Sequence, residues 1–435
     1  MHKRLAPTPP MGWNSWDCYG AAVNEEQLLA NADYMAEHLK DYGWEYVVCD
    51  IQWSEPTADS FYYHYFAPLC MDEYSRLIPS VERFPSSAGG KGFKPIADYI
   101  HSLGLKFGIH IMRGIPRQAA HMNTKIKCEG VTAKDIAKPS SICPWNPDMY
   151  GLETHKKGAQ EYYDSIFELY AEWGVDYIKC DDIANTEMWP DKPYSGREEI
   201  EMLRKAIDKC GRDMVLSLSP GPAPVWEHEH LAANANLWRM TGDFWDEWSK
   251  LHAMFERCYA WQEYVQPGAW PDCDMLPIGR IQKTEELEKY RNRYTRFTHD
   301  EQITMMTLWG IFRSPLMIGA EMRENDEFTL SLLQNRELID MLKNSNGARQ
   351  FKREETDGKG EIIWTSKGEN CKYVALFNTD DKVRNIKFDI NDIAIGGINY
   401  SVWDMWKHEE YAVTDGEFSA EVNSHGARLF KIKVK

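Results

Sequence analysis

The chain has 435 residues, 43% of them apolar and 27% charged. That is ordinary globular composition with ample material for a core, so disorder and fibrous repeats do not describe the whole chain. Fifty basic residues against 67 acidic ones leave a net charge of −17. A chain this acidic has no electrostatic footprint for nucleic acid, and an anionic membrane surface repels it.

The start, Met1-His2-Lys3-Arg4-Leu5-Ala6-Pro7, has two basic residues but no apolar stretch behind them, so no secretory leader is read and a cytoplasmic location is expected. Gly12 to Trp16 reads as a short first strand. Asn24 to Leu39 reads as an amphipathic helix, with Asn24 as its N-cap and Gln27 at the capping-box position. Tyr46-Val47-Val48-Cys49-Asp50-Ile51 is a continuous apolar run carrying one acid. Residues 54–95 and 113–157 are long and rich in Pro, Ser and Gly, as loops are. A helix over Ile96–Leu103 stops at Gly104 and the strand Lys106–Ile111 follows. Tyr162–Trp173 is a helix stopped by Gly174, ahead of the strand Val175–Asp181. Ile200–Lys209 is a helix stopped by Gly211, ahead of the strand Met214–Ser219. Further strands are read at Leu237–Met240, Trp270–Met275 and Pro315–Ile318.

Unbroken apolar strands are buried on both faces, and the repeated helix–Gly–strand unit marks parallel βα architecture. Eight such strands close a (β/α)₈ TIM barrel. An open doubly wound sheet is the alternative, but no glycine-rich phosphate loop follows the first strand. After about Asn346 the texture changes to short runs between Gly, Asp and Asn turns: Glu361–Ser366, Tyr373–Asn378, Ile386–Ile390 and Ala427–Ile432. The expected organisation is a catalytic barrel over residues 1–345 and a small antiparallel β-sandwich over 346–435.

Seventeen Trp and 22 Tyr are many for this length, and flat rings suit the C–H faces of sugars. In a parallel barrel function sits at the C-terminal ends of the strands. Those positions hold Trp16, Asp50, His110, Lys179, Asp181, Asp182, Ser219, Arg239, Asp243 and Asp274. Strand alternation puts Lys179 and Asp181 on one face, and a nearby cation keeps a carboxylate ionised. His228-Glu229-His230 with Asp272 and Asp274 raises a metal-dependent hydrolase as an alternative, but the histidines fall in a loop or helix start rather than at a strand end, and no metal site is expected. A non-catalytic sugar-binding barrel is a further alternative.

Four motifs in order then match a family. Met11-Gly12-Trp13-Asn14-Ser15-Trp16, Asp176-Tyr177-Ile178-Lys179-Cys180-Asp181, Arg239-Met240-Thr241-Gly242-Asp243 and Pro271-Asp272-Cys273-Asp274-Met275-Leu276-Pro277-Ile278-Gly279 resemble the glycoside hydrolases of family 27, the α-galactosidase and α-N-acetylgalactosaminidase family. The resemblance implies a retaining glycosidase without a cofactor. Asp181 is similar to its nucleophile and Asp243 to its acid/base; Trp16, Asp50, His110, Lys179, Ser219, Arg239 and Asp274 would hold the sugar. Asp243 should then be protonated at rest, through burial or a like charge.

The chain departs from the family pattern in four places. Ile51 replaces the second acid after strand two, and His110 replaces a Tyr on strand three. Asp182-Ile183 follow the nucleophile where the family has a disulfide cysteine nearby. Ser219 is smaller than the residue usual in α-galactosidases, which resembles the pattern that makes room for a 2-acetamido group. The expected substrate is a terminal α-galactosyl-type sugar, or a β-L-arabinopyranoside, which equals a galactoside without C6. The partner is then a carbohydrate, with nucleic acid and membrane excluded and an oligomer possible.

Overall fold

The computed structural model describes residues 2–186, 190–283, 293–393 and 395–435. Eight parallel strands form one sheet: β1 (Met11–Asn14), β2 (Tyr46–Cys49), β3 (Lys106–Met112), β4 (Tyr177–Asp181), β5 (Val215–Leu218), β6 (Leu237–Arg239), β7 (Trp270–Asp272) and β8 (Leu316–Ile318). Their order is β7-β6-β5-β4-β3-β2-β1-β8. The curl closes where Leu276, just past β7, bridges in parallel to Ile318 of β8. The eight expected strands are the eight observed, and the barrel is confirmed.

The helices form where the periodicity places them. Helix α1 (Trp16–Tyr19) is a single turn that takes Trp16 off the end of β1. In α2 (Glu25–His38) the Asn24 side chain accepts from Gln27 N, and Gln27 Oε1 accepts from Asn24 N, so both capping-box bonds are made. Helices α3 (Lys94–Ser102), α4 (Ala159–Trp173) and α5 (Arg197–Lys209) each start two or three residues before the expected first turn. Gly174 caps α4 at φ 84°, a left-handed conformation that favours glycine, and the chain turns directly into β4.

Inside the barrel Tyr46, Val48, Tyr177, Val215, Leu237, Trp270 and Met317 pack into one apolar plug, floored by Ala6. The indole of Trp270 donates to the Ala6 carbonyl at 2.8 Å, which seals the N-terminal end. Function is thereby confined to the opposite end, where the segments 54–95 and 113–157 lie. The second of these carries a three-stranded antiparallel sheet from Ile115–Pro116, Ala137–Ile142 and Met149–Leu152.

The C-terminal part is all antiparallel: β9 (Asn346–Thr356), β10 (Lys359–Gly368), β11 (Cys371–Asn378), β12 (Arg384–Asp389), β13 (Asn399–Asp404), β14 (Glu409–Thr414), β15 (Glu417–Val422) and β16 (Ala427–Val434). Six strands make one sheet, β9-β10-β11-β16-β13-β14, and β12 pairs with β15. Ile363, Val374, Leu376, Phe388, Val402, Phe418 and Phe430 fill the space between the two sheets, the core of a sandwich. The outer face of the larger sheet joins the barrel core: Phe377 meets Phe255 at 4.9 Å between ring centres, and Trp364 meets Phe312 at 6.2 Å. All ten cysteines are free, and Cys49 and Cys180 are buried as expected. Among the described residues no helix is long and apolar enough to cross a membrane.

Candidate active site

A cavity of about 750 Å³ opens at the C-terminal end of the barrel. Eight of the nine sequence-predicted site residues line it: Trp16, Asp50, Lys179, Asp181, Ser219, Arg239, Asp243 and Asp274. The exception is His110. Its ring is buried, and Nε2 bonds Asp181 Oδ2 at 2.8 Å. A carboxylate can only accept, so Nε2 carries the proton. His110 therefore backs the carboxylate, where the sequence expectation had placed it among the sugar-binding residues.

The first-strand motif has a physical purpose. Asn14 Nδ2 donates to Asp50 Oδ2 at 2.7 Å, and the Asp50 amide donates to Ser15 Oγ at 2.9 Å. Asp50 Oδ2 also accepts from Lys179 Nζ at 2.8 Å. Lys179 stands two residues before Asp181 on β4 and lies 4.0 Å from its Oδ2. Ser219 Oγ donates to Asp181 Oδ1. Burial alone would raise the Asp181 pKa, but Lys179 first, then the His110 and Ser219 bonds, hold it far below the usual carboxylate range. Asp50 is likewise held low against burial, chiefly by Lys179. The β4 end thus presents an ionised, oriented carboxylate whose two oxygens are each already bonded.

Across the cavity Arg239 bridges two acids. Nη1 lies 2.8 Å from Asp274 Oδ1 and Nη2 lies 3.0 Å from Asp243 Oδ1. Asp274 is buried, and burial pushes its carboxyl up to about 7; Arg239 opposes this, and Asp243 and Asp272 add to it. Asp243 differs from expectation, since its side chain is 64% exposed.

Some lining residues carry no signal in the motifs. Asp17, one residue past Trp16, is buried with Oδ2 unbonded; burial and then Asp274 raise its carboxyl well above the ordinary value. Asp246 receives both Arg293 guanidinium nitrogens. Trp145 and the run Phe61-Tyr62-Tyr63 come from the two long loops, where the density of rings was the available sign. The HxH pair lies elsewhere: His228 stacks on Tyr264 with ring centres 4.0 Å apart, and His230 bonds Tyr194 and Glu201. Neither joins Asp272 or Asp274.

Behind Asp181 lies a buried ionic cluster. Asp182, in the left-handed region at φ 55°, pairs with Arg113 at 2.9 Å, and Arg113 also pairs with Glu199 at 3.1 Å. The Arg113 amide donates to the Asp181 carbonyl at 3.2 Å. Burial raises Asp182 to about 7, with Arg113 opposing. Arg113→Met would strand two buried carboxylates. We expect it to lower the unfolding free energy by about 3–5 kcal/mol, read from denaturant melts; a loss under ~1 kcal/mol would mean that the cluster does not carry the β4 end.

Known proteins resemble this chain over nearly its whole length. The family profile described as Alpha galactosidase A matches residues 8–138 and 148–344, and that of the Alpha galactosidase C-terminal beta sandwich domain matches 359–432. A family-27 β-L-arabinopyranosidase from Geobacillus stearothermophilus is 54% identical, with 99% of this chain and 98% of that one covered and a TM-score of 0.95. A protein from Bacillus halodurans C-125, described provisionally as an α-N-acetylgalactosaminidase, is 49% identical over 98% and 97% of the two chains, with a TM-score of 0.87. An α-galactosidase of Cyamopsis tetragonoloba is 27% identical over 98% of this chain and 86% of its own.

Proposed function

Since the chain belongs to the α-galactosidase family of glycoside hydrolases, family 27, we propose that it is a retaining glycosidase that removes terminal β-L-arabinopyranosyl residues from a carbohydrate or glycoconjugate. Asp181 is the nucleophile in this reading and Asp243 the acid/base. Asp50 and Lys179 bind ring hydroxyls; Trp16 packs against the sugar. His110 and Ser219 position the nucleophile, and Arg239 with Asp274 positions Asp243. A seated sugar and aglycone would supply the burial that Asp243 lacks in the open cavity.

The observation that carries the choice of sugar is the residue after Asp50. Ile51 stands where the family has a second acid, and it packs with Met112, Cys143 and Met149 in a small apolar cluster against Trp16, Tyr63 and Trp145, which line the cavity. An apolar side chain in place of that acid leaves no acceptor there for a C6 hydroxyl, which suits a pyranose that lacks the C6 hydroxymethyl group. The 54% identity to the Geobacillus arabinopyranosidase supports the same reading.

Aryl glycosides differing only at C2 and C6 test it. The β-L-arabinopyranoside should surpass the α-D-galactopyranoside in kcat/KM by about 10–100-fold, the usual worth of one small group in a pocket. A galactoside turned over equally well would overturn the choice of sugar. A second reading, α-N-acetylgalactosaminidase, is favoured by the small Ser219 and by the Bacillus relative. If Ser219 leaves room at C2, the N-acetylgalactosaminide should be turned over at a rate comparable to the galactoside. A preference for galactoside above ~10³ would show C2 closed.

A further inference from the structure

The segment between β2 and α3 carries an unusual run of rings, Phe61-Tyr62-Tyr63-His64-Tyr65-Phe66. Phe61, Tyr62, Tyr63 and Tyr65 line the cavity. The run is braced from below. His64 Nδ1 lies 3.2 Å from Oε2 of the fully buried Glu55, and Nε2 lies 3.3 Å from Asp59. Glu55 Oε1 accepts from both the amide and the hydroxyl of Thr57. Arg83 ties the base of the loop to the carbonyls of Gln52 and Glu55.

Tyr63 is half-buried within this run. It stacks on Trp16 with centres 5.7 Å apart and planes at 17°, leans on Trp145 at 5.7 Å and 41°, and packs on the Ile51 cluster. Its hydroxyl has no hydrogen-bond partner among the described residues. Tyr63 lines the same cavity as Asp50, Lys179 and Asp181, and burial together with the charges of Asp181, Asp50 and Asp243 raises this phenol well above its ordinary value. Packing alone gives no use for that oxygen, since a phenylalanine would fill the same space. His110, standing where the family has a tyrosine, is committed to Asp181 and offers no replacement hydroxyl.

We propose that Tyr63 is a substrate-binding residue of the terminal-sugar site, its phenol exchanging a hydrogen bond with one ring hydroxyl of a pyranose seated on Asp50, Lys179 and Asp181. This rests on the glycosidase reading of the cavity and deepens it. A phenol both donates and accepts, which suits a sugar hydroxyl, and the bond strengthens once the sugar has displaced water.

The test is Tyr63→Phe, which keeps the ring and its stacking. It is assayed on whichever aryl glycoside the wild type turns over and on the 2-, 3- and 4-deoxy forms of that glycoside. Loss of the bond should lower kcat/KM about tenfold on the parent sugar, mainly through KM. The loss should vanish on the deoxy sugar that lacks the bonded hydroxyl. An unchanged kcat/KM on the parent, or an equal loss on every deoxy sugar, would overturn the proposal while leaving the glycosidase reading intact. Should the wild type turn over none of the glycosides, the glycosidase reading falls. Titration of wild type and Tyr63→Phe with L-arabinose, followed by tryptophan fluorescence, then decides Tyr63: weaker binding by the variant upholds it, and equal or absent binding overturns it.

Discussion

Asp181→Ala is expected to reduce turnover of an aryl glycoside by on the order of 10⁵ or more, because in the proposed reaction it removes the nucleophile itself. In the proposed mechanism Asp181 would attack the anomeric carbon as the bond to the leaving oxygen breaks, and the sugar would be held as an ester. The attack needs a carboxylate that is charged yet not fully quenched. Lys179, His110 and Ser219 keep Asp181 ionised, and the 4.0 Å from Lys179 Nζ stops short of a tight pair. Truncation to alanine leaves a small hole beside three donors. Azide or formate should enter it, restore part of the rate and give product of inverted configuration. A variant with near wild-type activity would remove Asp181 from the mechanism.

Asp243→Ala should show its effect through the leaving group. In the proposed mechanism Asp243 would give its proton to the departing oxygen in the first step and take one from the attacking water in the second. A dinitrophenolate leaves unaided, so the first step with that glycoside should barely slow. An alkyl or sugar leaving group should slow by ~10²–10⁴, the usual worth of general acid catalysis. Deglycosylation should also slow, so the glycosyl-enzyme should accumulate with the activated substrate. First-step rates for the two leaving groups, in wild type and variant, supply the comparison. An equal depression of both would make Asp243 a sugar-binding or structural carboxylate, with Asp274 or Asp246, which also line the cavity, next in line for the acid.

The barrel was legible because parallel strands buried on both faces leave unbroken apolar runs, and all eight were found. The C-terminal strands were harder. Glu417–Val422 alternates buried and exposed residues, so half of its positions are polar and the run hides among turn-like residues. Similar alternation hid Asn399–Asp404 and Glu409–Thr414.

In the site, Asp50, Lys179 and Asp181 were legible because alternation along a strand dictates which side chains share a face. His110 sits on the neighbouring strand in register with Lys179, and its turn toward Asp181 is a rotamer choice that no periodicity records. Asp243 lies beyond the end of β6, and its exposure depends on how the following loop runs. Tyr63 and Trp145 come from long loops, where spacing says nothing about which ring turns inward.

One feature of the architecture bears on the whole molecule. Two profiles divide the chain in sequence, yet Phe377 and Trp364 of the C-terminal sheet lie in the same apolar mass as Phe255 and Phe312 of the barrel helices. A seam of this kind transmits rigidity: local opening of the barrel's outer helices would have to uncover the sheet as well, which raises the free energy of such openings toward that of global unfolding. The helices behind β6 to β8 are thereby the stiff side of the barrel, and the long loops that carry Tyr63 and Trp145 are fastened to the other. The C-terminal rim of the barrel thus joins the side holding Asp274 to a separately braced wall of rings, a division that would let the rings change with the aglycone while the buried carboxylate stays in place.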